Sequence, residues 1–277
     1  MTRNSSLKET FNLYHILEVS VKIKISIYNI TISVFLISCN ILNSHSTYIK
    51  GGTTMHKTID EMCCTDCNVF NCQTLDKQFP KFCLTEKDID GHPIAQDIEE
   101  IKKHLQGDNE DAIMARASAQ IEGLYYGKKT RVEEIIEFAR RIGAKKIGIA
   151  TCAGLIREAK IFAEILDAKG IPYYSVICKT GGVDKTEIGL AEEEKVRPGN
   201  HESMCNPILQ ARILNAQKTD LNVIVGLCVG HDSLFIKYSD APITTLITKD
   251  RVMGHNPAAA LYLAHSYYKR LLNKDEE

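Results

Sequence analysis

From residue 94 onward the apolar positions alternate between a helical and an extended period. Ile94, Ile98, Ile101 and Leu105 recur at spacings of three and four, and Gly107 closes the run, which predicts a helix. Ile113, Ala117, Ile121 and Leu124 predict a second, capped by Asp108 and ending near Gly127. Thr130 and Glu133 have the form of a capping box, and Val132, Ile135, Ile136 and Ala139 make the buried face of a third helix, stopped by Gly143. Then the pattern changes. Lys146 to Thr151 reads as a buried strand, Leu155 to Lys169 as an amphipathic helix, Ile171 to Cys178 as a strand and Pro207 to Gln217 as a helix. Leu221 to Cys228 (strand), Asp232 to Lys237 (short helix) and Ile243 to Thr248 (strand) follow, and Asn256-Pro257 opens a final helix to Leu272. Strands alternating with helices predict an α/β fold, a Rossmann-like parallel sheet of four strands with helices on both faces.

Residues 63 to 93 break this regime. Apart from Val69, Phe70, Phe79 and Phe82 they carry few core formers, but they hold Cys64, Cys67, Cys72 and Cys83 in the pattern Cys-x2-Cys-x4-Cys-x10-Cys. Four thiols in so short a stretch are hard to explain as core packing, and a segment lacking a core needs a staple. The spacing therefore predicts a metal site with those four cysteines as ligands. Zinc and an iron–sulfur cluster suit four thiolates equally well, and Cys63 could replace Cys64. The expected organisation is a cysteine-rich metal-binding segment over 55–93, a helical region over 94–143 packing on the α/β part, and the α/β domain over 144–277.

Composition changes the picture at the amino terminus. Residues 1–54 contain neither Pro nor Asp and are dense in Ile, Asn, Ser, Tyr and Lys, and the bias ends abruptly near Met55. Lys50-Gly51-Gly52 is encodable as a bacterial ribosome-binding sequence just upstream of that methionine, so residues 1–54 are expected to be a non-native extension and translation to start at Met55. The rival reading takes Ile25 to Leu42 as a membrane anchor, but six Ser, Thr and Asn side chains interrupt it. A formal net charge of -1 supplies no basic excess for a phosphate backbone, so neither nucleic acid nor membrane is an expected partner. Ten cysteines are many for 277 residues, yet their clustering suits metal ligation in a reducing compartment better than a disulfide framework.

The other candidate chemistry lies in the sheet. In an open parallel sheet ligands bind beyond the carboxyl ends of the strands. Cys152, Cys178 and Cys228 end three of the predicted strands, and Cys205 precedes a helix on the same edge, so all four are expected to line one rim and to bind a cofactor there. Cysteine is also a common buried small residue, and some of these could simply fill strand ends. Helix amino termini after Cys152 and Cys205 favour thiolates. His231 and His255 follow glycines near the same rim and are candidates to ligate metal or move a proton, although a polar loop role explains a single His as well. The 179–204 connection carries Gly181-Gly182 and several acidic residues and is expected to cover the rim as a lid; a flexible acidic loop is the alternative.

Several stretches together resemble a known family. The Cys64, Cys67, Cys72 pattern, FPKFC ending at Cys83, TRVEEIIEF from Thr130, GIATC ending at Cys152, CKTGGVDKTE from Cys178, MCNPILQ around Cys205 and GLCVGHDS around Cys228 are similar to a prokaryotic family of unknown function, DUF1847, described as metal-binding. The resemblance runs from residue 63 to about 265. It implies cysteine-bound metal and a cytoplasmic protein of bacteria or archaea, without supplying a reaction. The expected function is that of a metal-binding protein, iron–sulfur or zinc, with a thiol-lined rim in a redox role, whose partners are a metal ion and a small molecule or redox partner. Two alternatives stand beside it. One is a zinc-stapled enzyme in which Cys152 or Cys228 is a nucleophile and His231 its base. The other is a metal or redox sensor or carrier without catalysis.

Overall fold

A computed structural model describes residues 57–89 and 91–274; the expectations for residues 1–54 lie outside the described residues. The chain divides into two compact units that part between Leu84 and Thr85.

In the first unit the chain makes 3-10 turns over Ile59–Glu61 and Cys64–Asp66 and one helical turn, α1, over Asn71–Thr74. Phe70 and Leu75 flank α1 in left-handed backbone (φ 49° and 57°), a conformation that costs energy in any residue with a Cβ. Among the described residues up to Leu84 only Asn71 is buried, and its Oδ1 accepts the Lys77 N–H at 2.8 Å. Hydrogen-bonded turns, not an apolar core, hold this segment.

The second unit opens with a two-residue hairpin, β1 (Asp88–Ile89) and β2 (His92–Pro93), followed by α2 (Ile94–Gln106), α3 (Glu110–Tyr125) and α4 (Arg131–Arg141). Asn109, not Asp108, caps α3, accepting the Ala112 N–H at 2.9 Å. Asp108 lies one residue too early, and its carboxylate meets Arg116 instead. The Thr130–Glu133 capping box forms as expected.

Four parallel strands make the sheet: β3 (Ile147–Thr151), β4 (Tyr173–Ile177), β5 (Leu221–Val225) and β6 (Ile243–Ile247), in the order β4-β3-β5-β6. Helices α5 (Ile156–Ala168), α6 (Pro207–Ala216) and α7 (His231–Tyr238) connect them. The period of two sorts side chains between two cores. Ile147 and Ile149 of β3 and Leu221, Val223 and Val225 of β5 face α4 and α5, meeting Ile135, Ile136, Ala159, Phe162 and Leu166. Ala150, Val176 and Ile224 face the other way, toward Ala211 and Leu214 of α6 and Phe235 of α7. Both faces of β3 and β5 are therefore dry, as their continuous apolar runs require.

Two boundaries differ from expectation with consequences. β5 stops at Val225, because Gly226 turns the backbone to φ 72°, so Cys228 lies in the following loop and does not end the strand. A Cβ at Gly226 would also come within 2.5 Å of Leu155. The predicted helix to Leu272 breaks into α8 (Ala258–Tyr262), turns, and a 3-10 turn over Lys269–Leu272. Leu261, Tyr262 and Tyr267 are at least 72% exposed there, so no buried apolar face supports a longer helix. No helix among the described residues is long and apolar enough to cross a membrane.

Candidate thiol site

Because β4 lies on one side of β3 and β5 on the other, the strand order reverses at β3, and the crevice beyond the carboxyl ends of β3 and β5 is the topological switch point of the sheet. The register places Thr151 opposite Ile177, so Cys152 and Cys178 follow as neighbours across the strand ends. The Cys178 N–H donates to Thr151 O at 2.8 Å, and the Cys152 N–H to Val225 O at 3.1 Å. Cys205 arrives from the other direction, since the Asn206 N–H donates to the Cys178 carbonyl at 2.7 Å before Asn206 caps α6.

The result is a row of three thiols. Cys178 is buried and hydrogen-bonds both Cys152 and Cys205. The Cys178 hydrogen bond is the main reason that the Cys152 thiol falls to about 5, helped by the Gly154 N–H and the Lys249 ammonium. Cys205 is likewise lowered to about 5, first by Cys178, then by Lys179 and His231. Cys178 itself is pushed far up, because its proton is bonded to two sulfurs that hold the negative charge and because it is buried. The Ala153 N–H points at its sulfur from 3.4 Å. The electrostatics of the row thus favour the thiolate form at Cys152 and Cys205 and the thiol form at Cys178.

Cys228 does not join the row. Its sulfur accepts from Arg251 Nη2 at 3.0 Å. His231 begins α7, near enough to Cys205 to help stabilise that thiolate, and its Nδ1 is buried with no hydrogen-bond partner among the described residues. His255 turns out to organise a tight turn: at φ 67° its Nδ1 accepts the Asp250 N–H at 3.2 Å. Cys63 lies against Thr65 and Asp66, and Cys64, Cys67, Cys72 and Cys83 form no ligand group. Among the described residues no three His, Cys, Asp or Glu side chains close to metal-ligating geometry, at the rim or elsewhere.

Several contributing residues were given no role by the sequence. Lys179, Lys249 and Arg251 are ordinary loop cations until the fold brings them to the thiols. Gln210 is the exception, because a polar residue at its place on α6, in step with Pro207, Ala211 and Leu214 on the buried stripe, is itself a signal. Fully buried, it donates from Nε2 to the Thr151 carbonyl at 3.1 Å and the Val176 carbonyl at 2.7 Å, clamping together the ends of β3 and β4 that carry Cys152 and Cys178.

The 179–204 connection is an ordered excursion with its own hub. Asp184 accepts from Lys195 Nζ at 2.8 Å, from the Thr186 N–H at 3.0 Å and from the Glu202 N–H at 2.7 Å. Asp184 pairs with Ser203 in an antiparallel bridge that closes the base. The Gly182 N–H is bonded to Lys179 O, so this pair of glycines forms a turn. The Lys195 ammonium, then the two N–H groups, hold the Asp184 carboxyl well below the usual carboxylate range. A folded value depressed in this way stabilises the loop at any pH above the unfolded range, and that contribution is lost only as the pH falls through the depressed value. Limited proteolysis should find 185–200 resistant at neutral and mildly acidic pH. In Asp184→Ala, with Lys195 deprived of its first partner, cleavage there should run at least about tenfold faster, as expected when a local opening equilibrium is shifted.

A family described as "Protein of unknown function (DUF1847)" matches residues 90–246. The uncharacterized protein MJ0455 of Methanocaldococcus jannaschii is 50% identical over 211 residues, covering 76% of this chain and 98% of that protein. No solved structure matches.

Proposed function

This chain belongs to the DUF1847 family, a protein family of unknown function, and on that premise we propose that it is a metal-binding, thiol-dependent redox protein whose rim exchanges electrons with a disulfide substrate through Cys152 and Cys178. The single observation that carries the reading is the placement of Cys152 and Cys178 side by side at the carboxyl ends of β3 and β4, with Cys205 next to Cys178. Neighbouring parallel strands run roughly 4.8 Å apart, within the Cα separation that a disulfide spans. The Cys152 thiolate attacks one sulfur of R–S–S–R, the S–S bond breaks, and R–S⁻ leaves a mixed disulfide on Cys152. With the Cys152 charge gone, nothing holds the Cys178 proton as tightly. Cys178 gives that proton to the departing thiolate and attacks the Cys152 sulfur, expelling the second R–S⁻, which takes a proton from solvent. The two protein thiols lose two electrons and R–S–S–R becomes two R–SH. Cys205 competes for the same partner, and Cys228, bonded to Arg251 and outside the row, has no part in the step. Incubation with neutral hydroxyethyl disulfide should yield a Cys152–Cys178 crosslink by peptide mass mapping; alkylation-sensitive thiols at both positions after prolonged exposure would refute the exchange.

A separate observation supports metal in the first unit. Its described residues have no buried apolar side chain, yet they carry a soft donor set suited to zinc or to an iron–sulfur cluster. Cys64, Cys67, Cys72 and Cys83 would hold it, and it would supply a fold staple if zinc or an electron store if iron–sulfur. Elemental analysis and absorption spectra of anaerobically prepared protein should show zinc or iron at about one centre per chain, lost on replacing Cys67 and Cys72 together with serine. Metal-free protein with an unchanged circular dichroism spectrum would exclude the staple.

A further inference from the structure

The cations around the thiols have not been used up by the exchange reaction. Lys249 reaches Cys152 beside Gly154: a Cβ at Gly154 would lie 3.4 Å from Lys249 Nζ and 4.0 Å from the Cys152 sulfur, so ammonium and thiol meet over this residue. Two residues on, the Arg251 guanidinium lies against Cys228. Lys179, the residue after Cys178, spends its ammonium on the Ser203 carbonyl and helps to hold Cys205. His231 borders the same sulfur.

None of Lys179, Lys249 and Arg251 has a carboxylate within ion-pair distance among the described residues, whereas Lys129, Arg141, Lys185 and Lys195 all do. Two acids of the neighbouring loops are engaged by backbone donors. Asp250 accepts the Val252 and Met253 N–H groups, and Asp232 accepts the Ser233 N–H. Three cations without a carboxylate partner among the described residues, Lys179, Lys249 and Arg251, thus stand around the thiols. Two thiolates neutralise part of this charge, and once Cys152 enters a mixed disulfide its share is released. A substrate that brings its own negative charge to these side chains would replace what the thiolate gives up.

We infer that the rim selects an anionic disulfide, a small molecule with carboxylate or comparable anionic groups flanking the S–S bond, which Lys249 and Arg251 bind on the β6 side and Lys179 on the β4 side. This rests on the exchange reading above, and it names the substrate class for that site. The charge does two things. It raises the local concentration of anions and their encounter rate, and it stabilises the leaving thiolate, whose charge develops between the same side chains.

Three dialkyl disulfides of matched size test the inference: dianionic dithiodipropionate, neutral hydroxyethyl disulfide and dicationic cystamine. Each is reacted with the full chain, and formation of the Cys152–Cys178 crosslink is followed at low and high salt. The anionic reagent should react about tenfold or more faster than the neutral one at low salt, the cationic one slower, and salt should compress the spread. In a Lys249→Gln, Arg251→Gln double variant the anionic-to-neutral ratio should fall toward one; using the ratio cancels any change in the Cys152 thiolate itself. Equal rates for all three reagents, with the crosslink forming, overturn the inference and leave the exchange reaction standing. If no reagent forms the crosslink, the exchange reading fails, and anion recognition is then judged by suberate, a dicarboxylate of similar length without the S–S bond. Suberate should protect Cys152 from iodoacetamide in the wild-type chain and not in the double variant; no protection in either removes the anion site as well.

Discussion

Replacing Cys178 is expected to disable the rim in two separable ways. Cys178→Ala removes both the partner sulfur and the hydrogen-bond donor that chiefly keeps Cys152 and Cys205 ionised. Cys178→Ser removes the partner sulfur and keeps a hydroxyl donor. Neither variant can form a Cys152–Cys178 crosslink, so that product should vanish in both. Their alkylation profiles should differ. In the wild-type chain Cys152 titrates near 5, so iodoacetamide labelling should already be close to its plateau in weak acid. In the alanine variant the lost hydrogen bond moves the thiol back toward the ordinary range near 8.5, and labelling at about pH 6 should slow at least about tenfold, with Lys249 and the Gly154 N–H retaining part of the effect. The serine variant should fall between them. An unchanged profile in the alanine variant would show that Cys178 is not the group that ionises its neighbours. Because Cys178 is buried at the edge of the second core, denaturant unfolding of both variants separates loss of the fold from loss of the chemistry.

The second large effect is expected at Gln210. Its side chain is fully buried and both Nε2 hydrogens go to backbone carbonyls, one on β3 and one on β4. Gln210→Ala opens a cavity in the second core and withdraws two donors from a dry site, costing about 3 kcal/mol. Urea unfolding should register the full loss as a lower midpoint with little change in slope. Gln210→Glu keeps the shape but replaces the donor by an acceptor facing two carbonyls, and should be at least as damaging at neutral pH. Thiol chemistry provides the second readout, because the clamped residues, Thr151 on β3 and Val176 on β4, lie one and two positions before Cys152 and Cys178. If the clamp sets the Cys152–Cys178 spacing, any residual folded fraction of the alanine variant should form the crosslink more slowly than wild type, which a purely global loss of stability would not produce under strongly native conditions.

These two residues also mark how far reading the chain goes. The four strands, their order of occurrence and the helices between them follow from local periodicity, most plainly at β3 and β5, whose continuous apolar runs are buried on both faces. The rim was legible for the same reason: parallel strands must end on one edge, so cysteines at the ends of β3 and β4 had to share it. Cys228 was misplaced because the turn at Gly226 depends on Leu155 packing beneath it, a contact between positions 71 residues apart that no local pattern encodes. The long helix proposed before Leu272 failed for the complementary reason. Its sequence has helical propensity and a proper start, but no surface in the fold is there to bury its apolar side chains.

By itself, then, the sequence determined the α/β class, the capping of α4, membership of an unassigned family and the presence of two sets of thiols. Those properties are local, or are fixed by what each strand must hide. Only the tertiary structure decided that Cys152, Cys178 and Cys205 form a row while Cys228 pairs with Arg251, and that Lys249 reaches over Gly154 to the first sulfur. It also decided that Gln210 clamps the two strand ends. The reason is that hydrogen bonds and charge pairs act over a few ångströms in space, and strand order brings together residues separated by tens to a hundred positions along the chain.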